Sequence, residues 1–173
     1  TAVKESGDRV MTALINSGFA PPMGRTTINL APADIKKEGP SFDLPIALGM
    51  IAAQGDVEKE TLDDLCVIGE LALSGEVRRV RGVLPIAIQA RAEGCRGILV
   101  PAEHADEAAV VEGLTVYPVT TCRQAADFLA GKCAIAPYGV DVLNVFNTHN
   151  HYDDDFADGG VLATLSLDEG YGL

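Results

Sequence analysis

Ser41 follows Gly39-Pro40 and stands just ahead of an apolar stretch, residues 44–52, whose spacing is that of a buried helix. A serine at the mouth of such a helix is where some hydrolases keep a nucleophile. The hydroxyl is a poor nucleophile at neutral pH, so this chemistry needs an adjacent base to take its proton. The sequence offers Lys36 and Lys37 on the preceding polar loop, exposed to water, and His104 on a different loop. The competing reading is structural. A serine here can cap the helix, a role worth about 1 kcal/mol, and Asp43 is well placed beside the positive helix end.

Two other groups could do chemistry. Arg78, Arg79 and Arg81, with Lys36 and Lys37 elsewhere, could meet nucleic-acid backbone or a neighbouring subunit, because phosphate contact depends on clustered cations. No aromatic residue interleaves these arginines, so bases have no stacking platform. On an acidic domain, a solvated face or a subunit contact is the plainer reading. His149, His151 and Asp153 to Asp155 have the donor types of a metal site, weighed against a flexible acidic linker. Lys36-Lys37-Glu38-Gly39 lacks the glycine spacing of a phosphate loop. GxxxxGK[ST] occurs nowhere in the chain, so no triphosphate can be cradled by that mechanism.

The elements that must position these residues follow from periodicity. Residues 1–17 read as a helix with Val3, Val10, Ala13 and Leu14 inward and Gly18 as its stop. Residues 26–30 read as a strand and 33–40 as a polar loop. In the central helix Leu44, Leu48 and Ile51 recur at helical spacing, widened by Ile46, Ala47 and Met50. Residues 64–73 read as a strand, Ser74-Gly75 as a turn and 76–80 as a returning strand, giving a hairpin. Residues 83–93 form a helix with Pro85 in its first turn, where proline is tolerated. Strands at 96–100 and 114–118 alternate with helices at 102–111 and 122–130, the last stopped by Gly131. This alternation demands an α/β fold with helices packed on a sheet, and the hairpin makes that sheet mixed. The domain is expected over residues 1–132, with 133–173 an acidic linker or tail in which 161–165 could add a short strand. A chain opening on a helix implies that preceding strands lie ahead of Thr1.

At 173 residues, with 47% hydrophobic and 22% charged residues, the chain suits one globular domain with a real core. Its net charge of −12 argues against a free-standing nucleic-acid binder. Residues 138–173 hold seven acids and no Lys or Arg, so they carry −7 and leave −5 on residues 1–137. Cys66, Cys95, Cys122 and Cys133 form no CxxC pair, which speaks for reduced thiols rather than zinc or a disulfide framework. No apolar run reaches the length of a membrane span, and no signal peptide opens the chain, so a soluble, cytoplasmic protein is expected.

Three stretches carry a resemblance: INLAPADIKKEGPSFDLPIALGMIAA, GELALSGEVRRVRGVLPIAIQARAEG and GILVPAEHADEAAVV. Together with the opening TAVKESGDRVMTALINSGF, they resemble the N-terminal domain of the ComM (YifB) group of magnesium-chelatase-like proteins, in one register over residues 1–132. DDDFAD near residue 155 is similar to the family's lead into its ATPase domain; after Asp158 the sequence departs from the pattern. The resemblance implies a Lon-peptidase-like fold, a following AAA+ ATPase that uses ATP and magnesium, and assembly with neighbouring subunits into a homo-oligomeric ring. It also implies a role in DNA branch migration during competence; the Lon-like domain of the RadA helicase is a similar case. Neither ATP nor magnesium is expected to bind this chain itself.

A Lon-type peptidase pairs a serine in a Gly-Pro-Ser context with a lysine on the helix after the hairpin. Ser41 matches the serine, and aligning Gly82-Val83-Leu84 puts Pro85 at the lysine position. Proline cannot act as a base, and general-base help is worth about 10²–10⁴-fold. The resemblance therefore implies a degenerate, non-catalytic site. The alternatives are a serine peptidase that draws a base from elsewhere, and a chelatase-type motor acting on a protein partner.

Overall fold

The computed structural model describes residues 2–24, 26–28 and 40–139. The loop bearing Lys36 and Lys37, the second half of the expected 26–30 strand, and the tail from residue 140 with His149, His151 and Asp153 to Asp155 lie outside the described residues.

Helix α1 (Ala2–Asn16) buries Val10, Ala13 and Leu14, and the chain leaves it through Gly18 at φ 82°. A 3-10 turn (Pro40–Phe42) leads into α2 (Asp43–Ala53). In α2, Leu44, Ile46, Ala47, Leu48, Met50, Ile51 and Ala52 are all buried, so this helix is apolar around most of its circumference. Such a helix must be enclosed by other elements. Its neighbours are α1, β2 (Glu70–Leu71) and α6 (Cys122–Leu129).

A short helix α3 (Glu60–Asp63) precedes β1 (Leu65–Val67). Strand β4 (Gly97–Pro101) lies between β1 and β5 (Thr115–Val119), parallel to both, with Leu65 opposite Gly97 and Gly97 opposite Thr115. Every residue of β4 is buried, as expected for a parallel strand covered on both faces. Leu99 points into the core formed by α1, α2 and α6. Ile98 and Val100 point into the second core, under α4 (Val83–Ala92) and α5 (Ala105–Ala109).

The α/β architecture and both kinds of pairing are present, but the pairings fall in two ladders. The single strand expected over 64–73 is two strands: β1 joins the parallel sheet, whereas β2 pairs antiparallel with β3 (Val77–Arg78). Gly69 makes the break. Its N–H donates to Ser41 O at 3.1 Å, its carbonyl accepts from Leu44 N at 3.0 Å, and a Cβ there would come within 2.9 Å of Val77 Cγ1. The hairpin rejoins the sheet through Val77 N–H to Thr120 O (2.8 Å) and a bridge between Glu76 and Thr121. The helix expected at 102–111 is a 3-10 turn (Ala102–His104) followed by the shorter α5.

The compact unit extends to Tyr138, six residues beyond the expected end at 132. Ile135 is buried in the first core, and Tyr138 N–H donates to Val116 O at 2.7 Å along the outer edge of β5. No helix among the described residues is long and apolar enough to cross a membrane.

Candidate functional site

Ser41 is half-buried in the 3-10 turn and does not cap α2. The cap position is Phe42, with no side-chain cap bond. The reason is local. The Leu44 N–H, which a capping side chain could take, already donates to Gly69 O, and the extra turn draws Ser41 into helical winding rather than the extended backbone of a cap. Among the described residues, no hydrogen bond or ion pair brings a base to the Ser41 hydroxyl.

Pro85 is the third residue of α4, which starts after Gly82 at φ 75°. Beside it, Leu84 N–H donates to Glu107 Oε1 at 2.9 Å, and Glu107 Oε2 meets His104 Nδ1 at 3.2 Å. His104 is thus occupied in holding the carboxylate that satisfies the start of α4. Its Nε2 is buried with no hydrogen-bond partner among the described residues, closed off from any substrate in solvent.

The strongest polar constellation is one that sequence reading undervalued. Asp43 is fully buried and accepts from Ser6 Oγ (2.5 Å), from Arg9 Nε (2.6 Å) and Nη2 (3.0 Å), and from Leu71 N–H (3.2 Å). The bidentate guanidinium satisfies a carboxylate that would otherwise be costly to bury. It ties α1, the start of α2 and β2 at one point. The available signal was an acid opening an otherwise apolar helix, two residues after Ser41. Its partners among the described residues are Ser6, Arg9 and the Leu71 N–H, an arrangement that anchors three elements.

The three arginines are not a uniform basic surface. Arg79 Nε pairs with Glu103 Oε2 at 3.0 Å, Arg78 stands opposite Glu70 across the hairpin, and Arg81 is exposed. Arg78 and Arg79 share a cleft of about 590 Å³ with Glu70, Glu76 and Glu103 over an apolar floor of Val77, Ala102 and Val119. A path for phosphate would need an excess of cations that this cleft lacks. Among the described residues, no three His, Cys, Asp or Glu side chains converge to hold a metal ion.

The thiols differ in reactivity. Burial pushes Cys122 up to about 12, partly opposed by a hydrogen bond from Ser17. Burial, with Cys95 nearby, pushes Cys66 up to about 11. Cys133 is exposed. Iodoacetamide on the native chain at pH 8 is therefore expected to modify Cys133 well before Cys122, checked by peptide mass spectrometry. Because both folded values lie above the ordinary 9.0, the folded state holds more protons in alkali than the unfolded chain. The associated stability is complete below pH 9 and declines as pH rises towards 11–12. Urea midpoints across that range test this.

A family model described as subunit ChlI of Mg-chelatase matches residues 1–104. Competence protein ComM of Haemophilus influenzae is 42% identical over 130 residues, covering 75% of this chain and 25% of that protein. The uncharacterized protein YifB of Escherichia coli is 42% identical over 135 residues, covering 78% and 26%. Lon protease 2 of Bacillus subtilis is 28% identical over 126 residues, covering 72% and 22%, which fits a Lon-like domain. The chain spans about a quarter of the length of the curated relatives it matches.

Proposed function

Because this chain belongs to the magnesium-chelatase ChlI family, in its ComM/YifB group, we propose that it is a non-catalytic Lon-like domain serving subunit assembly and substrate positioning for an AAA+ ATPase. One observation carries the non-catalytic part. The helix position that the Lon resemblance gives to a lysine base is Pro85, and no other described base bonds to Ser41. ATP and magnesium would act in the ATPase module, since this sequence has no phosphate loop. In this reading the substrate is DNA and the compartment the cytoplasm, as the resemblance to the ComM group implies.

The test separates this reading from a Lon-type peptidase. With a fluorogenic peptide, the wild type and Ser41→Ala are expected to be indistinguishable, and a fluorophosphonate probe is expected to label neither. Turnover that disappears in Ser41→Ala would establish the peptidase instead. For the positioning role, deleting this domain from the full-length protein should impair DNA branch migration, and unimpaired migration would count against it.

A further inference from the structure

Charged residues of the folded part gather at two ends of the parallel sheet. Asp56, Glu58, Glu60, Asp63 and Asp64 are exposed on the run leading into β1. Asp64 O accepts from Arg96 N just ahead of β4, so this run lies where the strands begin. Arg78, Arg79 and Arg81 lie where they finish: Glu103, the partner of Arg79, follows β4, and Thr120, bonded to Val77, follows β5. A five-residue strand is about 16 Å long, so the length of the sheet separates the two groups.

Few members of either group are held in an ion pair, although carboxylates stand beside the arginines. Among the described residues no ion pair reaches the five carboxylates, Arg78 or Arg81. Lys59 and Arg96 stand at the acidic end, which keeps more acids than bases, whereas Glu70, Glu76 and Glu103 equal the three arginines in number, so docking there depends on exchanging partners rather than on net charge. The Arg79–Glu103 pair is about two-thirds exposed on both sides (69% and 66%), which makes it easily exchanged.

We propose that the two ends meet in trans: the acidic run of one copy docks on the arginines of the next. The partner's carboxylates take Arg78 and Arg81 and compete with Glu103 for Arg79. Because the contact joins different surfaces, it is head-to-tail and builds a ring or a filament rather than a twofold pair. Nucleic acid is the poorer occupant. Its continuous negative charge would meet Glu70, Glu76 and Glu103 around the same arginines, whereas a protein surface can place carboxylates selectively. The proposal rests on the assembly role given above and names its surface.

Sedimentation velocity of the full chain at low salt tests it, with circular dichroism to verify folding of variants that change only exposed side chains. Arg78→Glu with Arg81→Glu, and separately Asp63→Lys with Asp64→Lys, should each weaken self-association by about tenfold or more, since facing like charges are strongly unfavourable. Mixing the two variants, or combining all four changes in one chain, should restore it. Association unaffected by either variant would overturn this interface while leaving the assembly role standing. A wild-type chain that stays monomeric at every concentration would overturn both. If the arginine variant instead loses affinity for a duplex DNA oligonucleotide while association is intact, the arginines serve DNA and the proposal is wrong.

Discussion

Asp43→Ala is expected to destabilise the domain by about 3–5 kcal/mol, the usual cost of removing one partner of a buried ion pair. The loss has three parts. Arg9, whose side chain is 29% exposed, loses its bidentate acceptor, and the Ser6 hydroxyl and the Leu71 N–H lose theirs in surroundings with little water. Asp43→Asn keeps an acceptor oxygen but replaces the other with an amide that cannot accept from Arg9, so it should fall between the wild type and Asp43→Ala. Replacing Arg9 and Asp43 together by apolar residues of similar volume should cost less than Asp43→Ala, because the site then has no guanidinium whose bidentate acceptor is missing. Urea denaturation of the four chains reads all of this. If Asp43→Ala unfolds at the wild-type midpoint, the network is not the anchor described above.

The second large effect is expected at Gly75, where Gly75→Ala should cost about 2–4 kcal/mol, from forcing a side chain into a left-handed conformation and crowding a filled space. Gly75 has φ 90°, and a Cβ added there would lie 2.2 Å from Ser17 Oγ and 3.4 Å from Ala13 O. The serine can swing away; the α1 backbone cannot. Gly75 O also accepts from Cys122 N–H at 2.8 Å, so the turn joins the end of α1 to the start of α6. Displacing it also disturbs the Asn16 Nδ2 bond to Leu73 O (2.6 Å). Thermal unfolding of Gly75→Ala beside Ser17→Ala/Gly75→Ala separates the contributions. The double variant should recover the part due to crowding and leave the backbone strain.

Most of the helices were legible because their apolar spacing is enforced by burial: Val10, Ala13 and Leu14 in α1, and most of the apolar run of α2, could not face water. Strands β4 and β5 were legible for the same reason. What the sequence hid was set by backbone contacts distant in the chain. Nothing in residues 64–73 but Gly69 signals that the segment changes sheets, because the cause is its pairing with Ser41 and Leu44. The capping role expected of Ser41 failed because that backbone pairing had already taken the Leu44 N–H. Asp43 looked like a helix-end charge because its partners Ser6 and Arg9 lie 37 and 34 residues away. The arginine cluster looked basic because Glu70 and Glu103, which face it, come from other elements. Pro85 was informative from sequence alone, since no fold can give proline a titratable amine.

The short pairing of Tyr138 with Val116 has a practical bearing on how this protein is handled. It covers part of a sheet margin whose amide and carbonyl groups would otherwise be available to another molecule. A fragment cut at residue 132 would keep every helix and strand of the described residues yet expose that margin, and would also lose Ile135 from the interior. Such a fragment should gain a self-association that persists at high salt as its concentration rises, and one ending a few residues past Tyr138 should lack it.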